Sequence, residues 1–411
     1  MIHNRIIDIT EDDLLRLIGQ SEDRQMDFKR DLPGNDYDSV KEFLKDVSAM
    51  ANTIGGDLIY GIEEGVDQNG TTVATQVHGI AAQDANEVRL RLNNIIRDNI
   101  KPALVGYEIQ DIPLSNGNRV YVVRVPRSWN SPHVVEYRSH WRFYYRSSNS
   151  SEMMDITQLR HAMTFANTMG QRLQEFRLDR LAKISADPAL NKTAKIVLHF
   201  QPFDSLREDY QVDLSKATTN RENTVLLWYE EAIPEARFTF DGLLISQGRN
   251  FNEGYIQVFR GGAIEEVDVR MLPRIQNDRK YIPSREFEGR IINAVVRRFQ
   301  MLRDLEINSP IMLYLTLLGA KDYHMGIQNP LGPPRDLSTL REKADWNSID
   351  RDDLLMRGIL VQDFQRFDNS FQQVAQLMQD SFDAIWNAAG FSRSLHYNAD
   401  GDWTGDIHLK G

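Results

Sequence analysis

The chain contains no cysteine among its 411 residues. This absence excludes disulfides, thiol catalysis, cysteine-ligated zinc and iron–sulfur clusters, so a metal would have to bind carboxylates, histidine or backbone oxygens. No hydrophobic run approaches the roughly 20 apolar residues of a membrane helix, and the N-terminus has no hydrophobic signal-peptide region. We therefore expect a soluble cytoplasmic protein with no membrane partner.

Positive charge is in short supply, with 48 Lys and Arg against 59 Asp and Glu and a net charge of −11. A generally basic surface for nucleic acid is excluded, so any such site must be a local patch. The first 80 residues hold 7 basic and 16 acidic residues, whereas residues 81–170 hold 11 basic and 8 acidic ones. This division suits a metal held by carboxylates beside a phosphate held by arginines, although ordinary scatter of surface charge is an alternative.

Length and periodicity predict two α+β domains with mixed sheets. Hydrophobic residues make up 41% of the chain and charged residues 26%, which is ordinary globular composition. We predict a first domain over 1–165, a helical connector over 166–189 and a second α+β domain over 190–390 that carries long C-terminal helices. Residues 391–411 are expected to form a loose polar tail.

The segment 137–146 reads as a strand with one cationic and one aromatic face. Its even positions include Arg138, Arg142 and Arg146, and its odd positions include Trp141, Phe143 and Tyr145. We expect the aromatic face to be buried and the arginines to face the phosphates of a nucleic acid, with Arg124 extending the patch. The alternative is a solvated strand face whose arginines form salt bridges with acidic residues.

Three carboxylates near predicted strand ends are candidate metal ligands. Glu22 and Asp27 lie five residues apart, Asp27 and Lys29 share a strand face, and Glu64 follows the buried strand that starts at Leu58. A bend in the chain would bring these carboxylates together, where they would repel one another or hold Mg²⁺ or Mn²⁺. Such a metal activates water for phosphodiester cleavage, but solvated acidic side chains near turns are the simpler alternative.

Three successive motifs resemble the Schlafen-type AlbA-like domain over about residues 10–165. They are Glu22-x-x-x-x-Asp27-Phe28-Lys29, then Ala51-Asn52-Thr53-x-Gly55-Gly56, then a strand that ends at Gly61-Ile62-Glu63-Glu64. The family pattern has Glu where Asp27 stands and usually Asp where Glu64 stands. One side chain is thus shorter by a methylene and the other is longer, so the two departures would compensate or leave the site without a metal.

The resemblance implies a metal-dependent endoribonuclease that cleaves tRNA or other structured RNA and acts in anti-phage defence. Carried over by motif, Glu22, Asp27 and Glu64 would bind Mg²⁺ or Mn²⁺, and Lys29 would steady the scissile phosphate. Schlafen enzymes pair two such lobes, so a homodimer or higher homo-oligomer is expected here, unless the second domain supplies the rest of the substrate channel. Two alternatives remain open, a non-catalytic regulator that binds DNA or RNA, and a scaffold whose second domain binds a partner or ligand.

Overall fold

The protein is described by a computed structural model that covers residues 6–67, 70–81, 84–138, 140–147, 150–190, 194–207, 210–227, 234–247, 253–272, 274–276, 278–307, 309–327, 347–367 and 370–406. The chain divides into two compact units, Met1–Met169 and Gly170–Gly411. Both units mix helices with sheets, which confirms the α+β class. No helix of these described ranges is both long and apolar enough to cross a membrane.

The first unit is built from three sheets and the helices that cover them. Its helices are α1 (Glu11–Leu15), α2 (Tyr37–Asn52), α3 (Ala85–Asn99) and the first part of α4 (Ile156–Ala186). Its strands are β1 (Met26–Lys29), β2 (Gly56–Tyr60), β3 (Ile62–Val66), β4 (Thr72–Val77), β5 (Ile100–Lys101), β6 (Glu108–Pro113), β7 (Arg119–Val125), β8 (Val134–Tyr137), β9 (His140–Arg146) and β10 (Ser151–Met153). The sheet orders are β1-β2-β7-β6, β10-β9-β8-β5 and β3-β4.

Alternation along the strands gives the first sheet a core on each of its faces. Leu58 and Tyr60 of β2 belong to a core shared with the apolar stripe of α2, whereas Ile59 belongs to a second core shared with α1. The two cores follow from the two-residue period of a strand, because successive side chains point to opposite faces. Since β1 pairs with β2 in parallel, residues of β1 are divided between the same two faces.

Two glycines set the close approach of β2 to its neighbours. Gly55 has φ +76°, and a Cβ there would lie 2.8 Å from both Arg127 N and Val125 O. A Cβ on Gly56 would lie 2.7 Å from Gln25 O. Only glycine fits both positions without moving backbone, which accounts for the tight turn between α2 and β2.

The segment predicted as one strand over 137–146 is a hairpin. It turns at Arg138, whose φ of +45° ends β8, so Arg138 does not share a strand face with Arg142. The predicted burial is also wrong, because Tyr144 and Arg146 are buried on the α2 side while Trp141 is 58% exposed. The physical reason is that α2 covers the even-numbered face of β9, with Asn52 Nδ2 donating to Tyr144 O at 2.9 Å.

The second unit contains an eight-stranded sheet. Its helices are the rest of α4, α5 (Ser284–Asp304) and α6 (Phe371–Ala388). Its strands are β11 (Lys195–Pro202), β12 (Glu235–Phe238), β13 (Gly242–Ser246), β14 (Gly254–Phe259), β15 (Ile264–Asp268), β16 (Arg274–Gln276), β17 (Arg279–Pro283), β18 (Ile311–Leu318), β19 (Tyr323–Gly326), β20 (Leu354–Leu355) and β21 (Ile359–Val361). The large sheet runs β12-β13-β14-β15-β11-β18-β20 with β21 also on β18, and β16-β17-β19 form a smaller sheet.

The segment expected to be a loose tail packs against the second unit over residues 391–406, so that expectation is wrong for this part. Tyr397 is fully buried and its hydroxyl donates to Ala375 O at 2.7 Å. Glu288 of α5 accepts hydrogen bonds from Ser394 Oγ at 2.7 Å and from Trp403 Nε1 at 2.8 Å. These donors anchor a segment whose polar composition suggested disorder, and residues 407–411 lie outside the described ranges.

The predicted connector over 166–189 is also revised. Residues up to Ala186 belong to α4, a continuous helix that starts at Ile156. The boundary between the two units falls inside this helix, between Met169 and Gly170. A helix that passes through a unit boundary has no break in its hydrogen-bond ladder, so the sequence carries no turn signal at that point.

Candidate functional site

Asp27 and Lys29 lie on β1 beneath α2. Their register partners on β2 are Leu58 and Tyr60, which both belong to the core on the α2 face of the sheet. The two side chains therefore point to the same face, as predicted from their spacing of two. Lys29 Nζ lies 2.5 Å from Asp27 Oδ2, and the Lys29 side chain is 35% exposed.

Arg146 closes the other side of Asp27. Its Nη2 lies 2.8 Å from Asp27 Oδ1, and the side chains of the two residues are only 1% and 4% exposed. Nη2 also donates to the carbonyls of Asp23 and Met26. This burial contradicts the predicted exposure of Arg146 to a phosphate, because its charge is used inside the protein to balance Asp27.

Asp46 is a fourth carboxylate that the sequence analysis missed. It lies on the buried face of α2, and its Oδ2 is 3.9 Å from Lys29 Nζ. Burial, and then the charge of Asp27, raise the pKa of Asp46 to about 6. The signal for it was present in the sequence, because an acidic residue interrupts the apolar stripe of α2 between Phe43 and Val47.

Glu22 reaches the cluster from the segment before β1. Its Oε1 accepts a hydrogen bond from Phe28 N at 2.7 Å, on the open edge of the strand. Burial, and then the nearby charge of Asp27, raise the pKa of Glu22 to about 7. At neutral pH this carboxyl is therefore divided between its protonated and ionised forms.

Glu64 lies on β3 at the exposed rim of the same cluster. Its pKa is raised by partial burial and by the charge of Asp27, while Lys29 acts in the opposite direction. The charge of Glu64 in turn contributes to the raised pKa of Glu22. The three carboxylates predicted from the motifs thus lie within electrostatic reach of one another, around Lys29.

The donor set does not fit a three-carboxylate metal site as it stands. Both oxygens of Asp27 face side-chain cations, Arg146 on one side and Lys29 on the other. Among the residues that the structure describes, no group of three or more His, Asp and Glu side chains is placed to hold a metal ion. When all four carboxylates are ionised, their charge exceeds that of Lys29 and Arg146 by two. This excess adds to burial, which is the larger cause of the raised pKa values of Glu22, Asp46 and Glu64.

The other predicted phosphate contacts differ among themselves. Arg124 makes a bidentate ion pair with the fully buried Asp57, at 2.8 and 3.0 Å, and so braces β7 against β2. Arg138 and Arg142 are exposed, at the turn after β8 and at the start of β9. The structure therefore places two of the four predicted arginines in internal ion pairs and leaves two at the surface.

An acidic cluster with perturbed pKa values around a half-exposed lysine, on an α+β scaffold, is typical of a functional site that handles charged groups. Residues 22–155 match the family described as Schlafen, AlbA_2. The first unit therefore contains a Schlafen/AlbA-like domain, a family that suggests nucleic-acid binding and is compatible with nuclease activity.

The chain is similar to the N-terminal domain of a RecG-related protein from Nitrosomonas europaea, at 25% sequence identity and a TM-score of 0.25, over 35% of this chain and 90% of that one. A comparison with curated proteins finds no match.

Proposed function

We propose that this protein is a nuclease of Schlafen type that cleaves tRNA or other structured RNA at the carboxylate cluster of its first unit. The observation that carries the proposal is the gathering of Glu22, Asp27 and Asp46 around Lys29, with Glu64 at the rim. A cluster of this kind has no evident structural advantage, because its carboxylates outnumber its cations and an excess of like charge in a half-buried site is destabilising.

Glu22 is the proposed general base. Its pKa of about 7 means that an ionised fraction is present at neutral pH while the protonated form is also populated. Such a group accepts a proton from an attacking hydroxyl or water with good efficiency and can return it to a leaving oxygen. Its half-buried position beside the partly exposed Lys29 side chain leaves it accessible to a substrate phosphate.

Lys29 is the proposed stabiliser of charge on the phosphate. Burial alone would lower the pKa of Lys29, but the charges of Asp27 and Asp46 raise it above its usual value, so the ammonium stays protonated. Asp27 is held by Arg146 and in turn fixes the position of the Lys29 ammonium. A positioned cation of this kind stabilises the charge that develops on phosphate oxygens during transfer.

The test is cleavage of tRNA by the full chain in the presence of Mn²⁺. We expect wild type to cleave and the double variant Glu22→Gln/Asp27→Asn to be inactive. Glu63→Gln is the matched control, since Glu63 adjoins Glu64 but pairs with Arg30 at the surface, and it should cleave like wild type. Equal cleavage by wild type and the double variant, or none by either, would reject the nuclease proposal.

Dependence on Mg²⁺ or Mn²⁺ is a separate part of the same experiment. Lys29 and Arg146 each pair with one carboxylate oxygen of Asp27, where a metal ligand would have to be available. Loss of cleavage with EDTA and its recovery with added Mn²⁺ would support the metal ligands Glu22, Asp27 and Glu64. Undiminished cleavage in EDTA would show that the carboxylates and Lys29 act without a metal.

A second candidate function is a non-catalytic regulator that binds DNA or RNA. The observation that favours it is the double ion pair of Asp27, which places cations where a metal would otherwise bind. This candidate predicts salt-dependent binding that survives EDTA, with no cleavage product. Binding is measured by fluorescence anisotropy on the same samples that are assayed for cleavage, so the two functions are distinguished directly.

The proposal extends to assembly and biological role. A homodimer would supply a second lobe to the substrate channel, and sedimentation of the full chain at several concentrations tests it; a monomer at all of them would contradict it. A role in anti-phage defence predicts fewer plaques on cells that express wild type than on cells that express Glu22→Gln/Asp27→Asn.

A further inference from the structure

A compact group of flat side chains lies where the β8–β9 hairpin meets the start of α2. The rings of Tyr37 and Tyr137 are stacked, with centroids 5.4 Å apart and an interplanar angle of 16°. The Arg138 guanidinium carbon lies 5.5 Å from the Tyr37 centroid and 5.6 Å from the Tyr137 centroid. The three groups form a nearly equilateral triangle, which we call the platform.

The platform presents a positive charge in a fixed position. Arg138 is exposed, and it is held in the left-handed region at φ +45°, where an arginine backbone is strained. Contact with two rings limits the freedom of its side chain before anything binds, which lowers the entropic cost of a later contact. Lys41, one turn further along α2, adds a second cation 5.9 Å from the Tyr37 centroid.

Cations continue from the platform toward the carboxylate cluster. The partner of Arg142 on β8 is the core residue Val135, so Arg142 lies on the α2 side of the hairpin. Burial raises the pKa of Tyr144; the charges of Arg142 and Lys45 act against that rise, and the charge of Glu42, which pairs with Lys45, adds to it. We call the set Tyr37, Lys41, Lys45, Tyr137, Arg138 and Arg142 the lane.

The lane leads to the cluster because α2 and β9 run side by side in the same direction. Both start near the platform, and at their far ends Arg146 N donates to Thr53 Oγ1 at 2.8 Å. From Tyr37 to Asp46 the helix advances about 13 Å at 1.5 Å per residue. From Arg142 to Arg146 the strand advances about 13 Å as well, so the two elements reach the cluster together.

We propose that the lane binds single-stranded nucleic acid, with an unpaired base stacked on the platform and the phosphates on Lys41 and Arg142. The inference rests on the proposed function, since the bound strand continues toward Lys29. Two stacked tyrosine rings with a guanidinium within 6 Å of both suit stacking with a base. Stacking is open only to a base that is not already between two neighbours in a duplex. The lane thereby specifies unpaired segments as the substrate class.

The opposite face of the same hairpin is a weaker candidate. It exposes Trp141, whose side chain is 58% accessible and would also offer a ring for stacking. However, the cross-strand partner of Trp141 is Glu136, which lies beside it on the same face and repels phosphate. The lane also has an acidic neighbour, Glu42 on Lys45, but its four cations outnumber that acid. Charge therefore favours the lane over this face, and Trp141 becomes a useful control.

The test compares the affinity of the full chain for a fluorescein-labelled oligouridine and for a duplex RNA of equal length, by anisotropy. We expect wild type to prefer the single strand. Arg138→Asn removes the charge but tolerates the left-handed backbone, and we expect it to weaken single-strand binding roughly tenfold, in line with the loss of a stacked base. Tyr137→Leu should weaken binding similarly, whereas Tyr137→Phe, which keeps the ring, should retain it.

Two controls carry matched changes elsewhere on the first unit. Trp141→Ala removes an exposed ring from the opposite face of the hairpin. Arg16→Gln removes an exposed charge just after α1, a helix that packs on the other face of the main sheet. Both should bind within about twofold of wild type, as expected for surface changes outside the binding site. Thermal melts of every variant show whether the fold is intact.

Three results would reject the proposed binding role of the lane. They are equal affinity for duplex and single strand, wild-type binding by Arg138→Asn, and a loss of binding in Trp141→Ala instead. The proposed function fails separately, because it is judged by cleavage. If wild type cleaves no RNA but Arg138→Asn still loses binding, the binding role of the lane is supported and the nuclease proposal is rejected. If wild type cleaves RNA and Arg138→Asn has an unchanged KM, the nuclease proposal is supported and the binding role of the lane is rejected.

Discussion

Replacing Arg146 by methionine tests whether this arginine serves the fold or the surface. Methionine keeps much of the side-chain volume but removes the guanidinium that lies 2.8 Å from Asp27 Oδ1. Asp27 then stays buried at 4% side-chain exposure with Lys29 as its remaining cation. The carbonyls of Asp23 and Met26 also lose a donor.

The structure sets the size of the effect. Removing one partner of a buried ion pair costs about 3–5 kcal/mol, because the other charge is left in a poorly solvated site. Since Lys29 still faces Asp27, we expect the lower end, about 3 kcal/mol. For a unit of this size each kcal/mol lowers the melting temperature by about 2–4 °C, so the expected fall is about 6–12 °C.

The assay is urea denaturation of the full chain followed by tryptophan fluorescence, with a double-mutant cycle that adds Asp27→Asn. We expect Asp27→Asn to cost much less in the Arg146→Met background than in wild type, because the unpaired charge is then gone. An unchanged urea midpoint in Arg146→Met, together with weaker RNA binding, would refute the reasoning and restore Arg146 as a phosphate contact.

Three other perturbations have defined outcomes. If Glu22 is the base, cleavage should rise as the pH passes through about 7, and Glu22→Gln should be inactive at every pH; a flat profile would contradict this role. Burial raises the pKa of Glu288 from 4.5 to about 7. The free energy of unfolding is therefore highest below pH 4.5 and falls by about 3 kcal/mol as the pH rises through 7. Glu288→Gln should flatten that dependence in urea midpoints measured across this range, and an unaltered slope would exclude Glu288 as its source. Gly55→Ala should destabilise the first unit by at least about 1 kcal/mol, because Gly55 has a positive φ and close backbone neighbours. Gly170→Ala has open space around its Cβ position, so its free energy of unfolding should be unchanged or rise by up to about 1 kcal/mol. Equal melting temperatures for the two variants would contradict the strain at Gly55.

Local pattern was sufficient for much of the first unit. The two-residue period over β1 placed Asp27 and Lys29 on one face, and the structure confirms this strand. The motif also brought Glu22 and Glu64 to the same neighbourhood. These predictions succeeded because periodicity and glycine turns are local properties, which neighbouring residues determine.

The arginines show where local pattern was insufficient. A cationic strand face is compatible with solvent or with a buried acid, and the choice depends on which element covers that face. Here α2 covers it, so Arg146 pairs with Asp27, a residue 119 positions earlier in the chain. The left-handed turn at Arg138 was equally hidden, because arginine is an uncommon residue at positive φ.

The sequence by itself determined the α+β class, the exclusion of thiol chemistry, the family resemblance and the identity of three clustered carboxylates. Only the tertiary structure decided that Asp46 joins them, that Arg124 and Arg146 are internal, and that residues 391–406 are packed. The physical reason is that a charged side chain takes its role from the partner it meets. That partner is set by packing between distant segments, whereas periodicity and composition act over a few residues.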